Sequence, residues 1–146
     1  MRPLQSDRII NMSLDIQQRE IEGIQILDVK GRLTVGPEAT KFRDAIKQLA
    51  DSGVTQAVLN LQQLDYIDST GLGGMVICYT TFSKAGGALK LLNLNKRNIE
   101  LLLLTKLTTV FELFNDEQDA INSFFPDREV KAFDILDFVQ GGGQGS

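Results

Sequence analysis

Residues 56–74 read QAVLNLQQLDYIDSTGLGG. Gln56–Leu61 is short, mostly apolar and rich in Val and Leu, the composition of a strand buried on both faces, with Gly53 before it and polar Gln62 and Gln63 after it. From Ser69 onward Leu72, Met75, Val76, Tyr79 and Phe82 recur at intervals of three and four until Gly86-Gly87, which predicts a helix opened by Ser69. Ser69 therefore stands at a strand-to-helix junction, with Asp65 read as a turn residue just before it.

On the amino-terminal side, Leu14–Ile21 and Ile24–Val29 flank the pair Glu22-Gly23 and predict a β-hairpin whose second strand ends at Gly31. Pro37 suits a first helical position, and Ala39, Phe42, Ala45, Ile46 and Leu49 mark the buried face of a helix stopped by Gly53. On the carboxyl-terminal side, Ala88–Leu94 predicts a strand, Lys96–Lys106 a helix, Thr108–Phe114 a strand and Asp116–Phe125 a last helix. Strands separated by helices of this length imply parallel crossovers. The expected fold is a single α/β domain, a mostly parallel central sheet with an N-terminal β-hairpin and packed helices.

The chain has 146 residues, enough for one domain with its own core, and 42% apolar and 23% charged residues, as in an ordinary folded protein. Residues 1–12 read as an N-terminal arm, 13–125 as the domain, 126–140 as a C-terminal extension and 141–146 (GGGQGS) as a flexible tail, with Met12 an alternative start to Met1. Acidic residues outnumber basic ones by 19 to 15, and no Lys/Arg stripe exists for a nucleic-acid backbone. There is no histidine, which removes a Ser-His-Asp triad and the usual zinc ligand, and the single Cys78 cannot form an internal disulfide. No apolar run approaches a membrane span or a signal peptide, so a cytoplasmic protein without membrane insertion is expected.

The junction carries the chemistry. A serine that opens a helix is, by itself, an N-cap whose oxygen accepts from a first-turn N–H. Gly71, Gly73 and Gly74 alter that reading, because each glycine costs a helix about 1 kcal/mol relative to alanine. Such glycines either leave a bare surface beside the hydroxyl for another protein to approach, or let the helix pack closely on its own sheet. Asp68 would orient the hydroxyl, contact a partner or offset the helix dipole, and Thr70 is a second hydroxyl nearby.

The stretch Leu61–Gly73, with its DSTGLG core, resembles the signature of anti-sigma-factor antagonists of the STAS domain family. The preceding VLNL, the later GGALKLLN and LLLLTKLTTVFELF before an acidic helix are similar as well. The resemblance covers about Ser13 to Phe125. It implies a partner switch: the unmodified protein binds a serine kinase that is also an anti-sigma factor, phosphorylation of Ser69 ends the binding, and a serine phosphatase restores it. Asp68, Thr70 and Gly71 would support the acceptor, and Leu72, Gly73 and Gly74 would meet the partner. No catalytic residue, metal or cofactor is implied.

Two positions depart from the family pattern. Gly31-Arg32-Leu33-Thr34 stands where many antagonists carry acidic residues, and Lys106 replaces the glycine usual after the third helix, so a left-handed residue there would cost about 1 kcal/mol. The extension after Pro126 carries Ala132, Ile135, Leu136 and Val139 at helical spacing, with Phe133 and Phe138, and reads as an added element on its own domain or as a homodimer or partner contact.

Gly71-Leu72-Gly73-Gly74 lacks the spacing of a dinucleotide loop and the lysine of a P-loop, Asp65 and Asp68 are three apart where a phosphatase pair needs two, and Cys78 reads as a buried structural thiol. Two other functions fit the residues: a permanent subunit of a sensory scaffold or of a lipid-transport ATPase, and a small nucleotide-binding enzyme using the glycine-rich turn as an anion site.

Overall fold

The computed structural model describes residues 14–131 and 133–141. The expected arm at 1–12, the tail after Gly141 and Ala132 lie outside them. Strand β3 (Gln56–Ile67) is the centre of the molecule. Its side chains alternate between two apolar layers, with Ala57, Leu59 and Leu61 in one and Val58 in the other. Around it lies a five-stranded sheet in the order β1-β2-β3-β4-β5, formed with β1 (Leu14–Ile21), β2 (Ile24–Leu33), β4 (Ala88–Leu92) and β5 (Leu113–Phe114). The β1–β2 hairpin is antiparallel and every other pairing is parallel, as expected. Glu22 and Gly23 both adopt positive φ at the hairpin turn.

The larger core layer joins Leu27, Val29, Leu59 and Leu91 of the sheet to α1 (Pro37–Asp51) through Phe42 and Ile46, to α2 (Ser69–Lys84) through Met75 and Phe82, and to α3 (Lys96–Leu104) through Ile99 and Leu102. The smaller one joins Ile24, Ile26, Val58, Leu92 and Phe114 to Ala120 and Ile121 of the short α4 (Glu117–Asn122). Polar groups on this second face are paired. Arg19 donates to both carboxylate oxygens of Asp28 at 2.7 and 3.0 Å and reaches Glu117, Asn60 donates to Asp28 at 2.7 Å, and buried Lys90 donates to the Ser123 hydroxyl at 2.9 Å and pairs with Glu112 at 3.0 Å. These bonds fasten the hairpin and β4 to the segment around α4.

Several boundaries differ from the sequence reading. Strand β2 does not end at Gly31: it takes φ +110° there, shifts register between Asp28 and Lys30 and again between Gly31 and Arg32, and runs on to Leu33. Strand β3 is lengthened with it. Exposed Gln62 and Gln63 interrupt the alternation without ending the strand, since Gln63, Leu64, Tyr66 and Ile67 still pair with β2, and Asp65 is a strand residue and not part of a turn. Strand β4 stops at Leu92 and α3 at Leu104. Within Thr108–Phe114 only Leu113–Phe114 is strand, because Leu107–Thr109 forms a 3-10 turn in which Val110 and Phe111 N–H donate to Leu107 O and the Thr109 hydroxyl to Lys106 O.

Lys106 is left-handed, with φ 63° and ψ 21°. The extension forms α5 (Ile135–Gly141), and Phe133, Ile135 and Phe138 pack against the larger core while Phe133 N–H donates to Leu113 O. It packs on its own domain through these three residues, while Leu136 and Val139 of the same helix are exposed.

Gly87 sits where the chain enters β4, and a Cβ there would lie 1.6 Å from Thr55 O. Gly87→Ala is expected to lower the unfolding free energy by about 2 kcal/mol or more, whereas exposed Lys106→Gly, which relieves the left-handed strain, is expected to raise it by up to about 1 kcal/mol; urea melts of both variants decide this.

Candidate functional site

Helix α2 begins where β2 and β3 end together, and the joint is made by Asp68. Its backbone N–H donates to Leu33 O at 3.2 Å. One carboxylate oxygen accepts from Gly71 N–H at 2.8 Å, and the other accepts from Val35 N–H, also at 2.8 Å. Asp68, in extended conformation, is thus the N-cap of α2, and Ser69 is its first helical residue. The reading of Ser69 as the cap is corrected: aspartate and serine are both good caps, and only the backbone of residue 68 has the extended conformation that a cap needs. These backbone donors hold the Asp68 carboxyl below its usual range, the Gly71 N–H contributing most and the Val35 N–H next.

With the cap role filled by Asp68, the Ser69 side chain is exposed and its hydroxyl makes no hydrogen bond among the described residues. Thr70 is exposed beside it. The three glycines divide by position. Gly71 is buried, and a Cβ on it would stand 2.2 Å from Leu33 O, so this glycine is required for α2 to abut the end of β2. Gly74 is buried as well, with Arg43 Cγ 3.7 Å from its would-be Cβ. Gly73 is exposed and has nothing within 4 Å.

Of the expected contact residues Leu72, Gly73 and Gly74, only Gly73 faces outward, because Leu72 and Gly74 turn toward the larger core and α1. The surface around Ser69 includes two residues that the sequence reading passed over. Val35, 67% exposed, is held by Asp68 through its N–H, and Ile77, 56% exposed, lies one turn beyond Gly73 on the same helix face. Each left a trace in the sequence: Val35 is an apolar residue in a loop of turn formers, and Ile77 falls out of phase with Leu72, Met75, Val76, Tyr79 and Phe82. Cys78 is buried against the larger core, and that burial pushes its thiol up to about 12, so it stays protonated and unreactive at neutral pH. Among the described residues no helix is long and apolar enough to cross a membrane, and no cluster of His, Cys, Asp or Glu is arranged to hold a metal ion.

A parallel sheet entered by a hairpin, with a capped serine-bearing helix springing from its central strand, is the architecture of the STAS domain. Residues 15–120 match that family, and the chain belongs to it. Its relatives include the anti-sigma-B factor antagonist of Bacillus subtilis (strain 168), 34% identical over 104 residues, which span 71% of this chain and 92% of the relative. The fold recurs in the crystal structure of an anti-sigma factor antagonist from Mycobacterium paratuberculosis, at TM-score 0.68 and 19% identity over 78% of this chain and 96% of that one. It recurs also in the Bacillus cell fate determinant SpoIIAA in its phosphorylated form, at TM-score 0.60 and 19% identity over 75% of this chain and 98% of that one.

The double acceptance by Asp68 makes a defined prediction. Asparagine has one carbonyl oxygen, and its amide group would face an N–H in place of the second, so Asp68→Asn is expected to cost about 1 to 2 kcal/mol despite asparagine's merit as a cap. A carboxyl with a lowered folded pKa stabilises the fold above its unfolded value of about 3.9 and loses that contribution as the pH falls through the folded value. The stability gap between parent and variant should therefore be constant from neutral pH down to about pH 4 and narrow below it. In the same melts Gly71→Ala should lose about 2 kcal/mol or more, and Gly73→Ala should gain up to about 1 kcal/mol.

Proposed function

We propose that this protein is an anti-sigma factor antagonist that binds a serine kinase acting as an anti-sigma factor, and that phosphorylation of Ser69 ends the binding until a serine phosphatase restores it. The observation that carries the reading is the division of labour at the junction. Asp68 supplies the cap, Gly71 the close approach to β2, and Ser69 is left exposed at the head of the helix with no hydrogen bond from its hydroxyl among the described residues. The name borne by the 34% identical Bacillus subtilis relative supports the same assignment. Gly73 supports it too: an exposed glycine in a helix costs about 1 kcal/mol, and among the described residues nothing crowds its missing side chain. A partner resting on Val35, Gly73 and Ile77 would cover apolar surface otherwise left in water.

The effect of a phosphate follows from what already occupies the helix end. The carboxylate of Asp68 takes the Gly71 N–H, so a phosphoryl group on Ser69 adds nearly two negative charges beside an existing one and stays in solvent. Its cost to the free protein is small. Under a partner the same group must be desolvated next to Asp68, which costs several kcal/mol unless the partner pairs it.

Two baits test the reading in a native lysate, Ser69→Ala and Ser69→Asp. The alanine form is expected to retain a kinase that the aspartate form releases, and that kinase is expected to label the parent chain from ATP but not Ser69→Ala. Both variants should melt within about 1 kcal/mol of the parent, as exposed substitutions do. Equal loss of stability and binding in Ser69→Asp would make Ser69 a structural residue.

A further inference from the structure

A cationic patch lies at the end of the sheet from which Ser69 projects. In the β2–β3 register Arg32 is opposite Tyr66, and its guanidinium carbon stands 5.4 Å from the centre of the Tyr66 ring. Arg97, in the first turn of α3, brings a second guanidinium carbon to 4.9 Å from the same centre. Both arginines are exposed and the ring is half-buried. Asn95, which caps α3, donates from its side chain to Leu64 O at 3.2 Å, so the helix that carries Arg97 is fixed to the strand that carries Tyr66. At the other arginine, the neighbouring Leu33 O accepts from Asp68 N–H, which ties the patch to the joint that presents Ser69.

Ion pairing is uneven among the arginines of the described residues, and Arg43 has no ion-pair partner. Acidic residues outnumber basic ones by 19 to 15, and Arg19 and Arg128 each sit in an ion pair. Arg32 and Arg97 have no carboxylate within ion-pair distance among the described residues. Two like charges drawn to one ring repel each other, and a bound anion would relieve that repulsion. A guanidinium held over an aromatic ring retains N–H donors for a carboxylate and gives up part of its rotamer freedom before binding.

We propose that Arg32 and Arg97, held against Tyr66, dock a carboxylate-rich segment of the partner that senses Ser69, and thereby select that partner. The inference rests on the switch proposed above and adds the chemistry of its partner. The occupant is an acidic protein segment and not a nucleic acid, because two guanidinium forks suffice for one or two carboxylates, whereas a nucleic-acid backbone is held by neutralising several phosphates at once.

The full chain, labelled with nitrogen-15, is titrated with hexaglutamate, with hexaglutamine and with a thymidine hexanucleotide at low and high salt. Hexaglutamate is expected to move the Arg32, Tyr66 and Arg97 signals, to do so less at high salt, and to have no effect on an Arg32→Gln/Arg97→Gln chain of unchanged melting temperature. For the kinase retained by Ser69→Ala, adding Arg32→Glu and Arg97→Glu should weaken the affinity at least about tenfold, and Arg32→Lys with Arg97→Lys should recover only part, since lysine keeps the charge and loses the stacked fork. Equal shifts with hexaglutamine, tighter binding of the oligonucleotide, or a charge-reversed chain that holds the kinase as well as Ser69→Ala alone would overturn the docking surface and leave the switch standing. A partner lost on charge reversal yet indifferent to Ser69→Asp would overturn the switch and leave the docking surface.

Discussion

The two-pronged acceptance by the Asp68 carboxylate, from Gly71 N–H on one side and Val35 N–H on the other, holds together the end of β2, the end of β3 and the start of α2. Three chain segments meet there with backbone donors that no regular hydrogen-bond ladder can satisfy, and one ionised side chain serves two of them. Because the groups are backbone amides, the geometry is set by the chain path and not by rotamers. The exposed elements nearby, Ser69, Val35 and Gly73, inherit their positions from it.

The joint in turn depends on how the strands reach it. Strand β2 would run out of step with β3 if both kept strict alternation, and the register shifts around Gly31 bring Leu33 opposite Ile67, so that Leu33 O can receive Asp68 N–H and abut Gly71. The absent side chain of Gly71 is therefore as much a part of the junction as the carboxylate. Close packing on one side and openness at Gly73 on the other let one helix serve the core with Met75 and Phe82 and present Ser69 and Ile77 to solvent.

The second face of the sheet does different work. Its ionic groups, Arg19 with Asp28 and Glu117, and Lys90 with Glu112 and Ser123, are paired within the domain and fasten the short α4 segment, which has few apolar residues of its own to bury. At the end of the sheet Arg32 and Arg97 are left with an aromatic ring in place of a carboxylate. The paired charges hold α4 to the sheet, and the two arginines on Tyr66 stand at the sheet end where β2 and β3 meet α2.

The apolar run at Gln56–Leu61, the three-and-four spacing after Ser69 and the Glu22-Gly23 turn were enough to determine a parallel α/β sheet opened by a hairpin, and the DSTGLG core was enough to point to the STAS family and to residue 69. These signals are local: each depends on which side chains fall on one face of one element, and that is written in their spacing. What the spacing could not carry was any relation between segments distant in sequence. That Asp68 and not Ser69 caps the helix, that Gly71 is closed by Leu33 while Gly73 stands open, that Leu72 and Gly74 turn inward while Val35 and Ile77 turn out, and that Arg32 and Arg97 share Tyr66 were decided only when β2, β3 and α3 met, because each depends on a backbone oxygen, an amide or a ring supplied by another part of the chain.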